Sequence, residues 1–388
     1  MTFFKELAHF FRFFRKTEEK DKQVVFYAEH RGYYPNFEGI IDELLEKYEQ
    51  PVCYITSDPG DPVFQHPDPK LKAFYIDKLL AFFMISIKCK VYIMTLTDLD
   101  RYHLKRSPHP VHYVYVFHSM VSTHMMYRWG AFDHYDSILC VGPHHIKEFR
   151  EHEKQQNLPA KTLVEAGYYR LERIHAKYRK QQDEKKDALP GKPVVLVAPS
   201  WGKENVIESH GKELVNILLK NDYDVIVRPH PETVRRYPEV LDALESEFKD
   251  NSSFFLERSV ATDDSLLKAD VLISDCSGVT LEYAFGTERP VIFLDVPYKI
   301  KNERYKELGM EPLELSLMSK IGIKVSPGKL DSLSGVIDRF IKEKETFKEQ
   351  IVREREKNVF AFNRSSAVSA RHIMDILKEG EEKNEQTV

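Results

Sequence analysis

Short apolar runs alternate with amphipathic segments along most of the chain. Runs such as VVFYAEH (24–30) and PVCYITS (51–57) are nearly unbroken, which is typical of strands buried on both faces. FEGIIDELLEKY (37–48) instead carries its apolar residues at helical spacing. This alternation predicts βαβ units around a parallel sheet. Further strands are predicted at 91–96, 111–119, 137–142 and 164–167, and a further helix near 70–86.

The strand–helix rhythm is interrupted once and then restarts. Residues 175–192 nearly lack apolar side chains and end in Pro190-Gly191, which indicates a domain junction. The α/β chain is therefore predicted to fold as two Rossmann-like domains, 21–180 and 190–360, followed by a helical, charged C-terminal segment at 361–388. Strands are predicted at 194–200, 224–230, 253–257, 270–275 and 290–295, with helices at 210–221, 237–248 and 279–286.

The first 20 residues are predicted to form an amphipathic helix. FFKELAHFFRFFRK has phenylalanines at helical spacing with basic residues interleaved among them, unlike a signal peptide, whose basic residues precede an apolar run. Two interpretations stay open. The aromatic face lies on an anionic membrane surface, or it packs on the protein's own body or on a second subunit.

Composition narrows the class of protein. With 388 residues, 42% of them hydrophobic and 30% charged, the chain can bury two sizeable cores. Its net charge of −4 gives no general attraction to nucleic acid. Four scattered cysteines without a CxxC pair indicate neither a zinc site nor a disulfide framework, and they favour a cytoplasmic location. The longest apolar run, at 79–87, is too short for a membrane span.

Polar residues follow directly after three predicted strands of the second domain. In open α/β sheets ligands bind beyond the carboxyl ends of the strands, so these residues are expected to meet at one edge. They are Ser200-Trp201-Gly202, Arg228-Pro229-His230 and Ser274-Asp275-Cys276-Ser277-Gly278.

The last of these segments opens a helix and is predicted to bind phosphate. A helix start presents free N–H groups and the positive end of the dipole, and Gly278 would let an anion approach the backbone. The competing interpretation is that Asp275 or Ser277 only caps the helix. The two other polar strand ends favour the phosphate site.

Arg228 and His230 are predicted to contact the same phosphate groups. Pro229 and Pro231 restrict the strand tip, so few conformations are lost when a ligand binds. The arginine supplies fixed charge, and the histidine donates a hydrogen bond or stabilises charge on a departing phosphate. A turn histidine that only stacks on its neighbours is the alternative.

One histidine of the first domain has a comparable position. VHYVYVFHS ends with His118 just past a strand, where a neutral imidazole could take the proton from an attacking hydroxyl. No metal or other cofactor is expected, since fixed positive groups can neutralise a diphosphate.

The stretch ISDCSGVTLEYAFGTERPVIFLD (273–295) resembles the signature of the CDP-glycerol glycerophosphotransferases, the teichoic-acid primases and polymerases. Arg228, His230 and Pro231 resemble that family's Arg-x-His-Pro motif, and Gly278 stands where the family has a second serine. Phe117-His118-Ser119 aligns loosely with its Trp-His-Gly segment. The signature is matched by Ser274, Asp275, Ser277, Val279, Glu282, Tyr283, Pro290 and Phe293.

The resemblance implies a GT-B fold, two Rossmann-like domains facing across a cleft, with the acceptor toward the first domain and the nucleotide donor on the second. It implies transfer of an alditol phosphate from CDP-glycerol or a related donor to a lipid-linked or polymeric acceptor, at the inner face of the membrane. His118 and His230 would be catalytic. The donor-binding residues would be Arg228, Ser200, Asp275, Ser277, Gly278 and Glu282, the last at the ribose.

Two other functions have the same sequence features. One is a GT-B glycosyltransferase that uses a UDP- or CMP-sugar in cell-surface polysaccharide synthesis. The other is a non-catalytic module that keeps the nucleotide site without a working base.

Overall fold

The computed structural model describes residues 2–184, 191–258 and 262–385. It forms two compact units, one of Met1–His118, Tyr127–Arg170 and Val359–Val388, the other of Ser119–Met126 and Leu171–Asn358. The predicted junction at Pro190-Gly191 lies partly outside the described residues, and so does the end of the predicted tail, 386–388.

The first unit is built on a seven-stranded parallel sheet in the order β3-β2-β1-β4-β5-β6-β7. Val24 of the central strand β1 pairs with Val52 on one side and Val91 on the other. The strands are β1 (Val24–Ala28), β2 (Val52–Thr56), β3 (Leu71–Tyr75), β4 (Val91–Met94), β5 (His112–Val116), β6 (Ser137–Cys140) and β7 (Thr162–Glu165).

The second unit contains a six-stranded parallel sheet in the order β10-β9-β8-β11-β12-β13. Because all its strands are parallel, the carboxyl ends of β9, β8, β11 and β12 lie side by side along one edge. The strands are β8 (Val194–Val197), β9 (Asp224–Val227), β10 (Phe254–Leu256), β11 (Val271–Ser274), β12 (Val291–Leu294) and β13 (Gly322–Val325).

The helices connect the strands of each sheet or extend the chain at its ends. They are α1 (Thr2–Phe11), α2 (Tyr34–Glu46), α3 (Leu80–Ser86), α4 (Thr123–Met126), α5 (Pro143–Gln156), α6 (Tyr169–Glu184), α7 (Val206–Lys220), α8 (Pro231–Arg236), α9 (Pro238–Phe248), α10 (Asp264–Lys268), α11 (Gly278–Thr287), α12 (Leu313–Ile321), α13 (Leu333–Lys342), α14 (Lys344–Asn358) and α15 (Ser365–Glu385). Two α/β units and a helical C-terminal segment confirm the predicted fold class.

Burial explains why these sequences form these elements. β1, β2, β4, β11 and β12 are buried along their whole length, as expected of parallel strands covered on both faces. The C-terminal helix α15 returns to the first unit, where Ala370, Ile373 and Leu377 join the core that contains Val24 and Phe26.

One predicted element was wrong. The helix expected near 70–86 is strand β3 followed by helix α3, because Leu71, Phe74 and Tyr75 are buried on the sheet edge beside β2. The polar stretch from 175 is helical up to Glu184 as the end of α6, a helix that buries only Leu171 and Ile174.

A short segment just after β5, 119–126, belongs to the second unit. The buried carboxylate of Glu314 accepts hydrogen bonds from the Ser122 backbone N–H at 2.9 Å and from the Ser122 hydroxyl at 2.8 Å. The Asn302 side chain donates to the carbonyl of His124 at 2.7 Å. These bonds fix the segment on the second unit, one residue beyond His118.

Candidate active site

The edge formed by the carboxyl ends of β9, β8, β11 and β12 gathers most of the predicted donor residues. The rings of Trp201, after β8, and His230, after β9, have their centroids 6.4 Å apart. Lys299, after β12, holds its ammonium 3.7 Å from the Trp201 ring centroid. Ser277 directly precedes helix α11 and lies three residues after the end of β11. Four neighbouring strands therefore contribute polar or aromatic side chains to one edge of the sheet.

Asp275 joins two of these strand ends through hydrogen bonds. Its Oδ1 accepts from the Ser200 backbone N–H at 2.8 Å, and its Oδ2 accepts from the Ser200 hydroxyl and, at 2.8 Å, from the Asn205 amide. Asn205 also caps α7, accepting from the N–H of Val206 at 2.6 Å. All three polar side chains are buried. Ser200 and Asp275 thus fix the loops, and their direct contact with a donor stays a prediction.

His230 is held as a neutral hydrogen-bond donor. Its Nδ1 accepts a hydrogen bond from the backbone N–H of Glu232 at 3.1 Å, so the ring proton of the neutral form sits on Nε2. Burial, followed by the positive charges of Lys299 and Lys301, lowers the pKa of His230 to about 4, although the carboxylate of Glu232 opposes the shift. At neutral pH the residue can donate one hydrogen bond but carries no charge.

Arg228 is buried beside the same strand end. Its Nη1 donates to the Ser265 hydroxyl at 3.0 Å, and its Nε lies 3.9 Å from a carboxylate oxygen of Glu257. These contacts are compatible with donor binding, because a guanidinium has five N–H donors. The role of Arg228 in binding the nucleotide donor stays a prediction.

The start of α11 is closely packed. The Ser277 side chain makes no capping bond, so it does not act as the helix cap that was the competing interpretation; Asp275 is engaged with Ser200 instead. A Cβ atom at Gly278 would lie 2.5 Å from the hydroxyl oxygen of Ser119 and 3.4 Å from Val121. The Ser119 hydroxyl therefore occupies the space that a side chain at 278 would need, and it would have to move to admit one.

Glu282 lies further along α11, a helix that is buried on nearly every side. The neighbouring Tyr283 donates its hydroxyl to the Ala269 carbonyl at 3.1 Å, which fixes the helix against the preceding loop. The predicted contact of Glu282 with a ribose stays a prediction.

Sequence reasoning missed Lys299 and Lys301. Burial, followed by the charge of Lys301, lowers the pKa of Lys299 to about 8, while Asp275 opposes the shift. Arg236 adds a third cation near this edge, with its guanidinium carbon 4.8 Å from the Trp201 ring centroid. The signal was present in the sequence, because the basic stretch PYKIKN (297–302) begins three residues after the end of β12.

His118 belongs to the first unit and lies just past β5. Its ring packs edge to face against Tyr33, with centroids 5.4 Å apart, and against Tyr127 at 6.2 Å. Burial, the charge of Glu29 and a hydrogen bond to that carboxylate raise the pKa of Tyr33 to about 12. Two tyrosines therefore restrict the imidazole, and one of them is tied to a carboxylate. The catalytic role of His118 stays a prediction.

Two features are absent from the described ranges of the chain. Within 2–184, 191–258 and 262–385, no group of three or more His, Cys, Asp or Glu residues could hold a metal ion. In the same part of the chain, no helix has both the length and the apolar character needed to cross a membrane.

The sequence matches one protein family over most of its length. The family model for CDP-glycerol:poly(glycerophosphate) glycerophosphotransferase matches residues 9–309. This range includes all the predicted site residues of both units. No curated protein sequence matches the chain.

Solved structures of similar fold cover nearly the whole chain. A histidine variant of the wall teichoic acid polymerase TagF superposes with a TM-score of 0.63 at 17% identity, covering 98% of each chain. A structure of TagF soaked with CDPG superposes with a TM-score of 0.61 at 16% identity, and the match again covers 98% of each chain. A glycosyltransferase from Rickettsia africae superposes with a TM-score of 0.50 at 12% identity, and the match covers 92% of this chain and 98% of the glycosyltransferase. At these identities the likeness establishes the GT-B fold.

Proposed function

Because this chain belongs to the CDP-glycerol:poly(glycerophosphate) glycerophosphotransferase family, we propose that it transfers an alditol phosphate, most simply glycerol phosphate, from a CDP-alditol to a hydroxyl group. The acceptor in this proposal is a lipid-linked or surface glycan, and CMP is released.

The convergence of positive groups at one sheet edge carries the proposal. Lys299, Lys301 and the start of α11 are three sources of positive potential, and His230 adds a neutral N–H donor. The diphosphate of a CDP-alditol, which carries one negative charge on each phosphate group at neutral pH, is the part of the donor that such an edge would attract. Trp201 offers an aromatic face beside these groups, on which a nucleobase could stack.

The proposed chemistry is a displacement at phosphorus. The acceptor oxygen attacks the β-phosphorus, which bears the alditol, and the bond from this phosphorus to the bridging oxygen breaks. CMP leaves with the electron pair of that bond. His118 takes the proton of the acceptor hydroxyl. The Nε2–H of His230, the ammonium of Lys299 and the N–H groups at Gly278 stabilise the charge that develops on the phosphates.

A donor screen tests this function against its alternatives. CDP-glycerol and CDP-ribitol should raise the unfolding temperature of the full chain more than UDP- or CMP-sugars, because a ligand that binds only the native state stabilises it. With CDP-glycerol and a glycerophosphate-primed lipid, the protein should release CMP and lengthen the primer by one or more glycerophosphate masses. Stabilisation by UDP- or CMP-sugars alone would indicate a glycosyltransferase, and binding without turnover a non-catalytic module.

His230→Ala should lower kcat/KM for CDP-glycerol about tenfold, the loss expected for one hydrogen bond to a charged group. Since the wild-type imidazole is neutral above a pKa of about 4, the ratio of wild-type to variant rates should stay constant between pH 6 and 9. His210→Ala, on helix α7 of the same unit, is the control and should leave kcat/KM unchanged. A ratio that falls as the pH rises would mean that His230 acts as a cation.

We also propose that the first unit docks on an anionic membrane surface. The N-terminal segment packs on its own unit through Phe13, whose ring lies 4.8 Å from that of Phe83 and which is 1% exposed. The same segment leaves Phe4 78% exposed, and the neighbouring α3 leaves Phe82 64% exposed. We assign to the proposed docking surface the other exposed aromatic, aliphatic and basic residues of these two segments, Phe3, Phe11, Ile85, Lys5, Arg12, Arg15 and Lys16.

The double variant Phe4→Ser/Phe82→Ser should bind vesicles of phosphatidylglycerol and phosphatidylcholine at least tenfold more weakly than the wild type, since two aromatic side chains lose their burial in lipid. Cosedimentation measures this. Phe255→Ser is the matched control, because Phe255 is 61% exposed on β10 of the second unit. Equal binding by the double variant and the wild type would exclude this surface.

A further inference from the structure

The first unit contains a polar cavity of about 370 Å³ that none of the roles described above uses. This volume lies within the ~300–1,000 Å³ of typical small-molecule sites. The polar side chains that line it are Tyr27, Glu29, Ser57, Asp77, Lys78 and His103.

The cavity lies at the carboxyl ends of adjacent strands. Glu29 directly follows β1, Ser57 directly follows β2, and Asp77 comes two residues after β3. These three strands are neighbours in the sheet, and all are parallel. Open α/β sheets bind ligands at the carboxyl ends of their strands, and the cavity lies at this position in the first sheet. It is separate from the corresponding edge of the second sheet.

Hydrogen bonds fix the floor of the cavity. The Ser57 hydroxyl donates to the Ile76 carbonyl at 2.6 Å, so the Tyr27 hydroxyl, 3.0 Å from the Ser57 oxygen, must be the donor in their contact. Tyr27 is buried at 2% exposure. The floor therefore presents two oriented hydroxyl oxygens to a ligand.

The wall of the cavity is held by the N-terminal helix. The carboxylate of Glu6, on α1, is 1% exposed and accepts hydrogen bonds from the backbone N–H groups of Asp77 and Leu79, each at 2.7 Å. The helix that carries the exposed Phe4 thus also positions the turn with Asp77. A lipid-linked ligand presented at that helix would arrive beside this wall.

A second chain of contacts leads from the cavity to His118. After burial, the charge of Glu29 and a hydrogen bond to its carboxylate are the main causes of the raised pKa of the Tyr33 hydroxyl, and the Tyr33 ring packs edge to face against His118. A group bound at Glu29 is therefore two side-chain contacts away from the imidazole.

We propose that this cavity binds the glycerol phosphate end of the acceptor, an inference that rests on the proposed transferase function. Carboxylates such as Glu29 and Asp77 accept hydrogen bonds from the vicinal hydroxyls of a polyol, and Lys78 supplies a cation for its phosphate. Because the cavity contains both carboxylates and an ammonium group, it favours a ligand that carries both hydroxyl and phosphate groups.

Asp77→Asn and Glu29→Gln test the inference through the KM of the acceptor. Each variant should raise the KM for a soluble glycerophosphate-primed acceptor about tenfold, while the Kd for CDP-glycerol changes less than twofold. Glu46→Gln is the control, because it makes the same change of charge on the exposed surface of α2 in the same unit. Transfer is measured by CMP release and by the mass of the product.

The results separate the two proposals. No transfer by the wild type with any primed acceptor would contradict the proposed function and, with it, the cavity's role. Normal wild-type transfer with an unchanged acceptor KM in both variants would overturn the cavity assignment alone. A raised acceptor KM in both variants, with circular dichroism and donor affinity like those of the wild type, would support it.

Discussion

Replacement of His118 by asparagine should lower kcat by at least about 100-fold without changing the Kd for CDP-glycerol, since general bases contribute roughly 10²–10⁴ to a rate. The imidazole is packed between Tyr33 and Tyr127. Asparagine is smaller than that space but keeps a polar amide at the same position. It cannot take a proton at neutral pH, so the chemical step should slow while the donor site in the second unit is unaffected.

The measurements are initial rates of CMP release and donor affinity by calorimetry. His109→Asn makes the same exchange in the loop before β5, where the histidine has no predicted role, and it should behave as the wild type. A kcat for His118→Asn within threefold of the wild type would exclude His118 as the base. An equal loss in kcat and in donor affinity would indicate a structural role instead.

The strands that lead to the site could be predicted because a strand buried on both faces has a nearly continuous run of apolar residues in its sequence. β1 and β11 read as unbroken apolar runs, and the first polar residues after such runs fall at the sheet edge whatever the details of packing. β3 could not be recognised in this way. It is a five-residue strand at the edge of the first sheet, paired only with β2, and its burial is incomplete.

The end of α6 shows a different limit. Hydrophobic pattern detects a helix by the face it buries, and this helix buries only Leu171 and Ile174 near its start. Beyond these residues the sequence is indistinguishable from a charged linker. Polar contacts hold the helix there instead: a ring nitrogen of His175 lies 3.1 Å from the Gly286 carbonyl oxygen, and the Lys177 ammonium lies 3.4 Å from a carboxylate oxygen of Asp263.

Within the site, the sequence indicated which residues meet but not how their atoms are used. Asp275 could be placed at a strand end, yet its engagement by Ser200 and Asn205 depends on the loop after β8. The tautomer of His230 depends on one backbone N–H two residues later. Such choices are made by atoms a few ångströms apart in the folded chain, which residue types and spacing do not specify.

Replacement of Lys299 by methionine should weaken CDP-glycerol binding about 30-fold to 100-fold at pH 7, the loss expected for a charge-assisted hydrogen bond to phosphate. Methionine keeps an unbranched chain that can still lie against Trp201, so packing at the 3.7 Å contact is largely kept and the ammonium is what is lost. Lys342→Met, at the exposed end of α13, is the control for a lost surface charge.

The pH dependence of affinity makes the assignment specific. Burial and the charge of Lys301 hold the pKa of Lys299 at about 8 in the free protein. A bound diphosphate favours the protonated amine and raises that pKa, so binding takes up a proton once the free amine is neutral. The Kd of the wild type should therefore be constant below pH 7 and rise by up to about tenfold per unit above pH 8. The methionine variant should lack this rise, and a wild-type Kd that stays constant up to pH 9.5 would place the diphosphate away from Lys299.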